Sequence, residues 1–149
     1  MVKKRRTRKR RIRKGGGGLS ISYGSYNVND SITTINATSK APTLTLLPLL
    51  LSTFVMYDPD AVLPIWIHWL VINIPNGDIT KGNIVLSYDG PAPPPNTGTH
   101  RYIFNQLEQT EPISITTQKR SKYNMDEFFK QYNLTSRAVK TFRIVSALK

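Results

Sequence analysis

The sequence predicts a β-dominated domain closed by one or two helices near its C-terminus, and three observations carry that expectation. Residues 19–35 are rich in Ser, Thr, Asn, Tyr and β-branched types, broken by turn formers. Trp66-Ile67-His68-Trp69-Leu70-Val71-Ile72-Asn73-Ile74 has the aromatic and β-branched content of a central strand. Helical spacing of apolar residues is confined to residues 124–148. At 149 residues the chain suits one domain burying roughly two-thirds of its unfolded surface.

In chain order, Ser20-Ile21-Ser22-Tyr23 and Ser31-Ile32-Thr33-Thr34-Ile35 read as short strands with turn-rich connections. Residues 44–56 are apolar enough to raise a membrane question, but they are too short to span a bilayer and Pro48 interrupts them. They divide into a strand ending near Leu47, a turn at Pro48 and a buried strand over 50–56. After the 66–74 strand, Asn76-Gly77-Asp78 turns the chain and Lys81-Gly82-Asn83 turns it again. Gly90-Pro91-Ala92-Pro93-Pro94-Pro95-Asn96 is neither strand nor helix, because proline removes donors and fixes φ. Another strand begins at Tyr102-Ile103-Phe104 and continues toward Leu107. Asn124 or Asp126 caps a helix carrying Phe128, Phe129 and Tyr132 and ending near Asn133. Residues 135–148 suit a second helix, with Ala138, Val139, Phe142 and Val145 on one face.

Charge divides the chain unevenly. Of 21 Lys+Arg, ten lie in one segment: Lys3, Lys4, Arg5, Arg6, Arg8, Lys9, Arg10, Arg11, Arg13 and Lys14. No acid interrupts them, and Gly15 to Gly18 follow as a flexible joint. Removing those ten from the 21 leaves 11 basic against 9 acidic residues, so the net +12 belongs mostly to the tail. Residues 1–18 therefore read as a disordered basic tail with a glycine hinge, and 19–149 as the folded domain. No apolar segment follows the charges, so the tail is not a secretory signal, and it makes a poor transit peptide. The absence of cysteine excludes a disulfide framework and a thiolate metal site and fits an intracellular protein. The tail has three readings: a solvated non-specific segment, a nucleic-acid or nuclear-import segment, or an anchor to an anionic membrane surface. No aromatic residue interleaves its charges, so base stacking is not indicated.

Chemistry-bearing side chains gather in two motifs. Asp58-Pro59-Asp60-Ala61 places two carboxylates on one loop, and Gly98-Thr99-His100-Arg101-Tyr102 places a histidine at the head of a strand. His68 lies between them in the sequence. Acids, imidazoles and rigid turns together suggest a small polar pocket. Against this stands a plain turn in which both aspartates bond local backbone, with His68 a satisfied core residue.

These residues resemble the phosphatidylethanolamine-binding protein family, which includes the Raf kinase inhibitor proteins and the plant flowering-time regulators. Its first signature matches Asp58-Pro59-Asp60-Ala61-Val62-Leu63-Pro64-Ile65-Trp66-Ile67-His68-Trp69. Its second matches Gly90-Pro91-Ala92-Pro93-Pro94 followed by Gly98-Thr99-His100-Arg101-Tyr102. The resemblance runs from about residue 41 to 109, with a weaker echo over 123–134. It implies a large antiparallel sheet packed on a smaller one with peripheral helices, and a surface pocket for phosphate or a phospholipid headgroup. Carried over, that pocket is formed by Asp58, Asp60, Trp66, His68, Gly90, Ala92, Pro94, His100 and Tyr102. Two positions depart from the family pattern: Ala92 stands where glycine is usual, and Val62 where proline is. In animal members a C-terminal helix helps cover the pocket. This chain reaches Lys149 soon after that region, so a more open pocket is expected.

Within such a pocket, His68 and His100 donate to an oxyanion, while Asp58 and Asp60 orient the imidazoles or meet an ammonium. Arg101 is an ion-pair partner for one aspartate. Two Asp and two His could ligate a metal, but the resemblance implies none, and no cofactor is expected. No nucleophile elbow, phosphate-binding glycine loop or HExxH supports catalysis. Two functions remain. One is a non-enzymatic, regulatory headgroup-binding module, with any kinase or protease partner unidentified. The other is a structural or assembly protein of a virion or ribonucleoprotein particle, its tail contacting nucleic acid or another polyanion. Either places the protein in the cytoplasm, the nucleus or a particle.

Overall fold

The computed structural model describes residues 18–149. Residues 1–17 of the predicted basic tail, including its ten cationic residues, lie outside the described residues. Strand β1 (Ser20–Tyr23) pairs with β2 (Tyr26–Asn27) and β3 (Thr43–Thr45) in a three-stranded antiparallel sheet of order β2-β1-β3. The larger sheet is also antiparallel. It runs β6-β5-β4-β7-β8, with β4 at Leu51–Asp58, β5 at Trp66–Pro75, β6 at Asn83–Leu86, β7 at Thr99–Glu108 and β8 at Thr135–Val145. Among the described residues a single α-helix, α1 (Met125–Gln131), follows β7. Two antiparallel sheets and one helix near the C-terminus fit the fold class read from the sequence.

The large sheet is buried on both faces, which explains the apolar run that raised a membrane question. On one face Phe54, Met56, Trp69, Tyr102, Phe104 and Phe142 pack against Leu19, Ile21 and Tyr23 from the small-sheet side. On the other, Val55, Ile67, Leu70 and Leu107 meet Met125, Phe128 and Leu134 around the helix. A strand apolar on both faces loses the alternation of a half-solvated strand and reads as a continuous hydrophobic run. Among the described residues no helix is long and apolar enough to cross a membrane.

Most predicted elements are present. The strand, turn and second strand over 44–56 appear as β3 and β4, and the proline loop is irregular as expected. Asn124 caps α1, its side chain accepting from the Glu127 N–H at 3.1 Å. Asp78 caps a 3-10 turn over Ile79–Lys81 where a simple reversal was expected.

Two expectations are corrected. The predicted second helix over 135–148 is strand β8, paired along its length with β7. Phe142 and Val145 satisfied a helical spacing, but Phe142, Ile144 and Ser146 are the buried set, with Val145 about half exposed. That is period two, and the β-branched Val139, Thr141, Ile144 and Val145 favour it once β7 offers an unpaired edge. The predicted strand at 31–35 is reduced to one bridge between Ile32 and Arg143, followed by a 3-10 turn at Asn36–Thr38. Ile32 and Ile35 remain exposed, so no apolar surface rewards extension there. Instead the segment caps the β8 edge: Asp30 and Thr33 donate to the carbonyls of Thr141 and Arg143.

Candidate functional site

The site forms at one end of the large sheet, where β4 stops and β7 begins. Asp58 is the last residue of β4 and pairs in register with Trp66, the first of β5. Asp58 Oδ1 accepts from the Asp60 N–H at 2.7 Å, closing an Asx turn across Pro59. The turn reading and the pocket reading thus coexist, because the second oxygen points elsewhere. Asp58 Oδ2 lies 2.7 Å from His100 Nδ1, and both side chains are nearly inaccessible to solvent. His100 Nε2 meets Thr97 Oγ1 at 2.7 Å. Both ring nitrogens of His100 are therefore occupied, and the imidazole holds the strand and loop termini together.

Asp60 behaves differently. Its carboxylate accepts from Arg101 Nε at 2.9 Å, Nη2 at 3.0 Å and the backbone N–H at 3.0 Å. This fork holds the Asp60 carboxyl below its ordinary pKa and raises the guanidinium. The expected ion-pair role of Arg101 is what the geometry shows.

A cavity of about 270 Å³ opens between the 58–66 loop and the proline loop. Eight of the nine residues carried over from the family pattern line it: Asp58, Trp66, His68, Gly90, Ala92, Pro94, His100 and Tyr102. Asp60 does not, being turned toward Arg101. Reasoning from sequence missed Ala61, Val62, Leu63, Asp89 and Pro93, which complete the wall. Val62 and Leu63 are largely exposed at its mouth. Their signal was an apolar pair inside the first signature, where Val62 also departs from the family pattern.

On the cavity wall the Tyr102 hydroxyl and His68 Nε2 make no hydrogen bond to another described residue. Among the described residues no fully buried side-chain nitrogen or oxygen is left unpartnered, so both atoms retain some solvent access, and both residues line the cavity. His68 Nδ1 lies 2.6 Å from the Asp89 carbonyl, an acceptor only, so Nδ1 carries the proton. In neutral His68, Nε2 is then an acceptor, and protonation turns it into a donor. Burial lowers the His68 pKa, opposed by the Asp89 carbonyl and the nearby carboxylates. Burial raises that of Tyr102, reinforced by Asp58 and Asp60, so its hydroxyl stays a donor. The Tyr102 ring lies between the imidazoles, 5.3 Å from His68 and 6.4 Å from His100.

The proline loop is seated from below. Tyr88 donates to the Thr38 carbonyl at 2.7 Å and meets the Tyr23 hydroxyl at 2.7 Å, linking the small sheet to the loop. Gly90 lies against this seat, and a Cβ there would fall 3.1 Å from the Ser39 carbonyl oxygen. Glycine is needed at 90 for close approach. No group of three or more His, Asp or Glu able to hold a metal occurs among the described residues.

The model of the family described as phosphatidylethanolamine-binding protein matches residues 49–142. A carboxypeptidase Y inhibitor, solved in complex with its cognate proteinase, shares the fold with a TM-score of 0.75 and 20% identity. That match covers 90% of this chain and 84% of the inhibitor. The phosphatidylethanolamine-binding protein of Plasmodium vivax gives 0.67 at 19% identity, covering 88% and 85%. "Putative odorant-binding protein A5" of Drosophila melanogaster is 38% identical over 61 residues. That segment is 41% of this chain and 29% of the relative, so the match spans under a third of the relative's length. The family model covers well over half of the chain and includes both the Asp58 loop and the His100 strand, and the chain belongs to the phosphatidylethanolamine-binding protein family.

Proposed function

We propose that this protein is a non-enzymatic, regulatory binding module whose cavity takes a phosphate-bearing small molecule or phospholipid headgroup. The observation that carries this reading is the convergence of the Tyr102 hydroxyl and His68 Nε2, both unpartnered, on one cavity beside the buried Asp58–His100 pair. No Lys or Arg lines that cavity, so a bound anion meets the Tyr102 O–H, a protonated His68 and backbone N–H groups. The Gly90 and Ala92 amides are available in a loop whose prolines offer none. The expected ligand roles are thereby redistributed. His68 and Tyr102 contact the ligand, while Asp58 and His100 hold the frame.

The test is an amide NMR titration of the full chain with phosphorylethanolamine. Saturable shifts at Asp58, His68, Gly90, Ala92 and His100 are expected, and silence at millimolar concentration overturns the reading. Tyr102→Phe, which removes one hydroxyl, weakens binding about tenfold. Binding also tightens as pH falls through the lowered His68 pKa, because the ring then donates through Nε2. A phosphodiester such as glycerophosphorylethanolamine isolates this effect, since its own charge is constant over the range.

A second reading rests on ten cationic residues in a twelve-residue stretch: attachment to nucleic acid or another polyanion, in a virion or ribonucleoprotein particle. Neutralising ten phosphates of duplex DNA gives a log–log salt slope approaching about −9. Deleting residues 1–18 abolishes polyanion binding under this reading, and retention in the truncated chain refutes it.

A further inference from the structure

Thr97 lies outside the cavity wall but touches two groups that shape it. Its hydroxyl donates to the Pro94 carbonyl at 2.6 Å and lies 2.7 Å from His100 Nε2. The same imidazole meets Asp58 through Nδ1. An unbroken series of polar contacts therefore runs from buried Asp58 through His100 and Thr97 to exposed Pro94. Prolines 91, 93, 94 and 95 carry no N–H, so the loop has few means of fastening itself to a neighbour.

Thr97 is itself held from behind. Its N–H donates to Ser146 Oγ at 2.9 Å, and the Ser146 N–H donates to the Gly98 carbonyl at 2.9 Å. The Asn96 N–H reaches the Ala147 carbonyl at 2.8 Å. Asn96 and Gly98 both adopt positive φ, 64° and 77°, and turn the chain sharply on either side of Thr97. The backbone is clamped to the chain beyond β8 while the hydroxyl faces inward. Its role is to hold.

We propose that Thr97 is the positioning residue of this pocket, tying the proline wall to His100 so that the wall is set before a ligand arrives. The inference rests on the headgroup-binding reading for its ligand consequence. A wall that must order during binding subtracts that entropy from affinity, and a wall already fixed does not.

The test uses the full chain with Thr97→Val, which keeps the shape and removes the hydroxyl, and Thr97→Ser, which restores it. Amide hydrogen exchange at Asn96 and at residue 97, whose N–H groups are bonded, is measured without ligand, and the dissociation constant with phosphorylethanolamine. In Thr97→Val, exchange at these amides rises and affinity falls about tenfold. Thr97→Ser returns both to within about twofold, which a general packing role would not predict. Ser146→Ala moves both in the same direction by less. A Thr97→Val protein with wild-type loop exchange and wild-type affinity overturns the inference. If the wild-type chain takes no phosphorylethanolamine, the headgroup reading falls, and unchanged loop exchange in Thr97→Val then overturns the positioning role by itself.

Discussion

Asp58 and Asp60 stand two residues apart in one motif yet form side-chain pairs of opposite character. Asp58 and His100 are buried together, with side-chain exposures of 4% and 1%, whereas Asp60 and Arg101 retain 29% and 53%. The exposed pair has the richer geometry, a fork with an added backbone bond, but water screens it. The buried pair has fewer contacts, and each matters more because removing one partner leaves the other polar and out of water. Hydrogen-bond counts alone would rank the two pairs wrongly; burial reverses the order. The consequences also differ in place: the buried pair frames the cavity, and the exposed pair braces the outside of the same loop.

The sharpest way to break this comparison is Asp58→Ala. It leaves His100 without its partner in the interior and is expected to cost about 3–5 kcal/mol in a urea unfolding series. A loss below about 1 kcal/mol would place the two pairs in the same class. Gly90→Ala comes next at about 1–3 kcal/mol, because its new methyl meets the Ser39 carbonyl under the proline loop. Thermal unfolding of that variant, with the headgroup titration repeated on it, shows whether the seat of the loop and the pocket fail together.

pH separates the two regions further. The folded-state pKa of His68 lies below its ordinary 6.5, so the unfolded chain binds a proton that the native state resists. Stability therefore declines as pH falls from about 6.5 toward the folded value, and His68→Gln removes that decline. Asp60 is lowered from 3.8, so its contribution is present above that value and lost as pH falls through its folded pKa. Urea midpoints between pH 7 and pH 3 for the wild type, His68→Gln and Asp60→Asn resolve the two windows. The smallest effect is expected for Asp60→Asn at neutral pH, within about 1 kcal/mol and diminished further by salt. Salt leaves the Asp58→Ala cost nearly unchanged, which sharpens the contrast.

Much of this architecture was legible in the chain. Trp66 to Ile74 announced a central strand by aromatic and β-branched content, and Asn124 or Asp126 announced the helix start by capping chemistry, of which the fold uses Asn124. The paired aspartates, His68 and His100 were recognisable as a constellation, and eight of the nine residues assigned to it line one cavity. Where reading failed, local pattern was ambiguous. Phe142 belongs to both a three-residue spacing with Val145 and a two-residue spacing with Ile144, and only the open edge of β7 selects the strand. Asp60 was carried over to the cavity with the rest of the family motif, but side chains two apart in a turn diverge, and Arg101 drew it outward. Thr97 escaped notice because a threonine in a proline-rich loop carries no local signal of a partner.

The sequence by itself determined the apolar strands, the rigid turns, the segregation of charge into residues 3–14 and the stock of polar groups for a site. Each of these depends on residue type and near neighbours. Only the tertiary structure decided which aspartate is buried, which imidazole nitrogen faces the cavity, and that residues 135–145 extend the sheet. Those outcomes depend on contacts between residues far apart in the chain, as in the 42-residue separation of Asp58 and His100. Burial, which sets the strength of such contacts, is a property of the assembled fold.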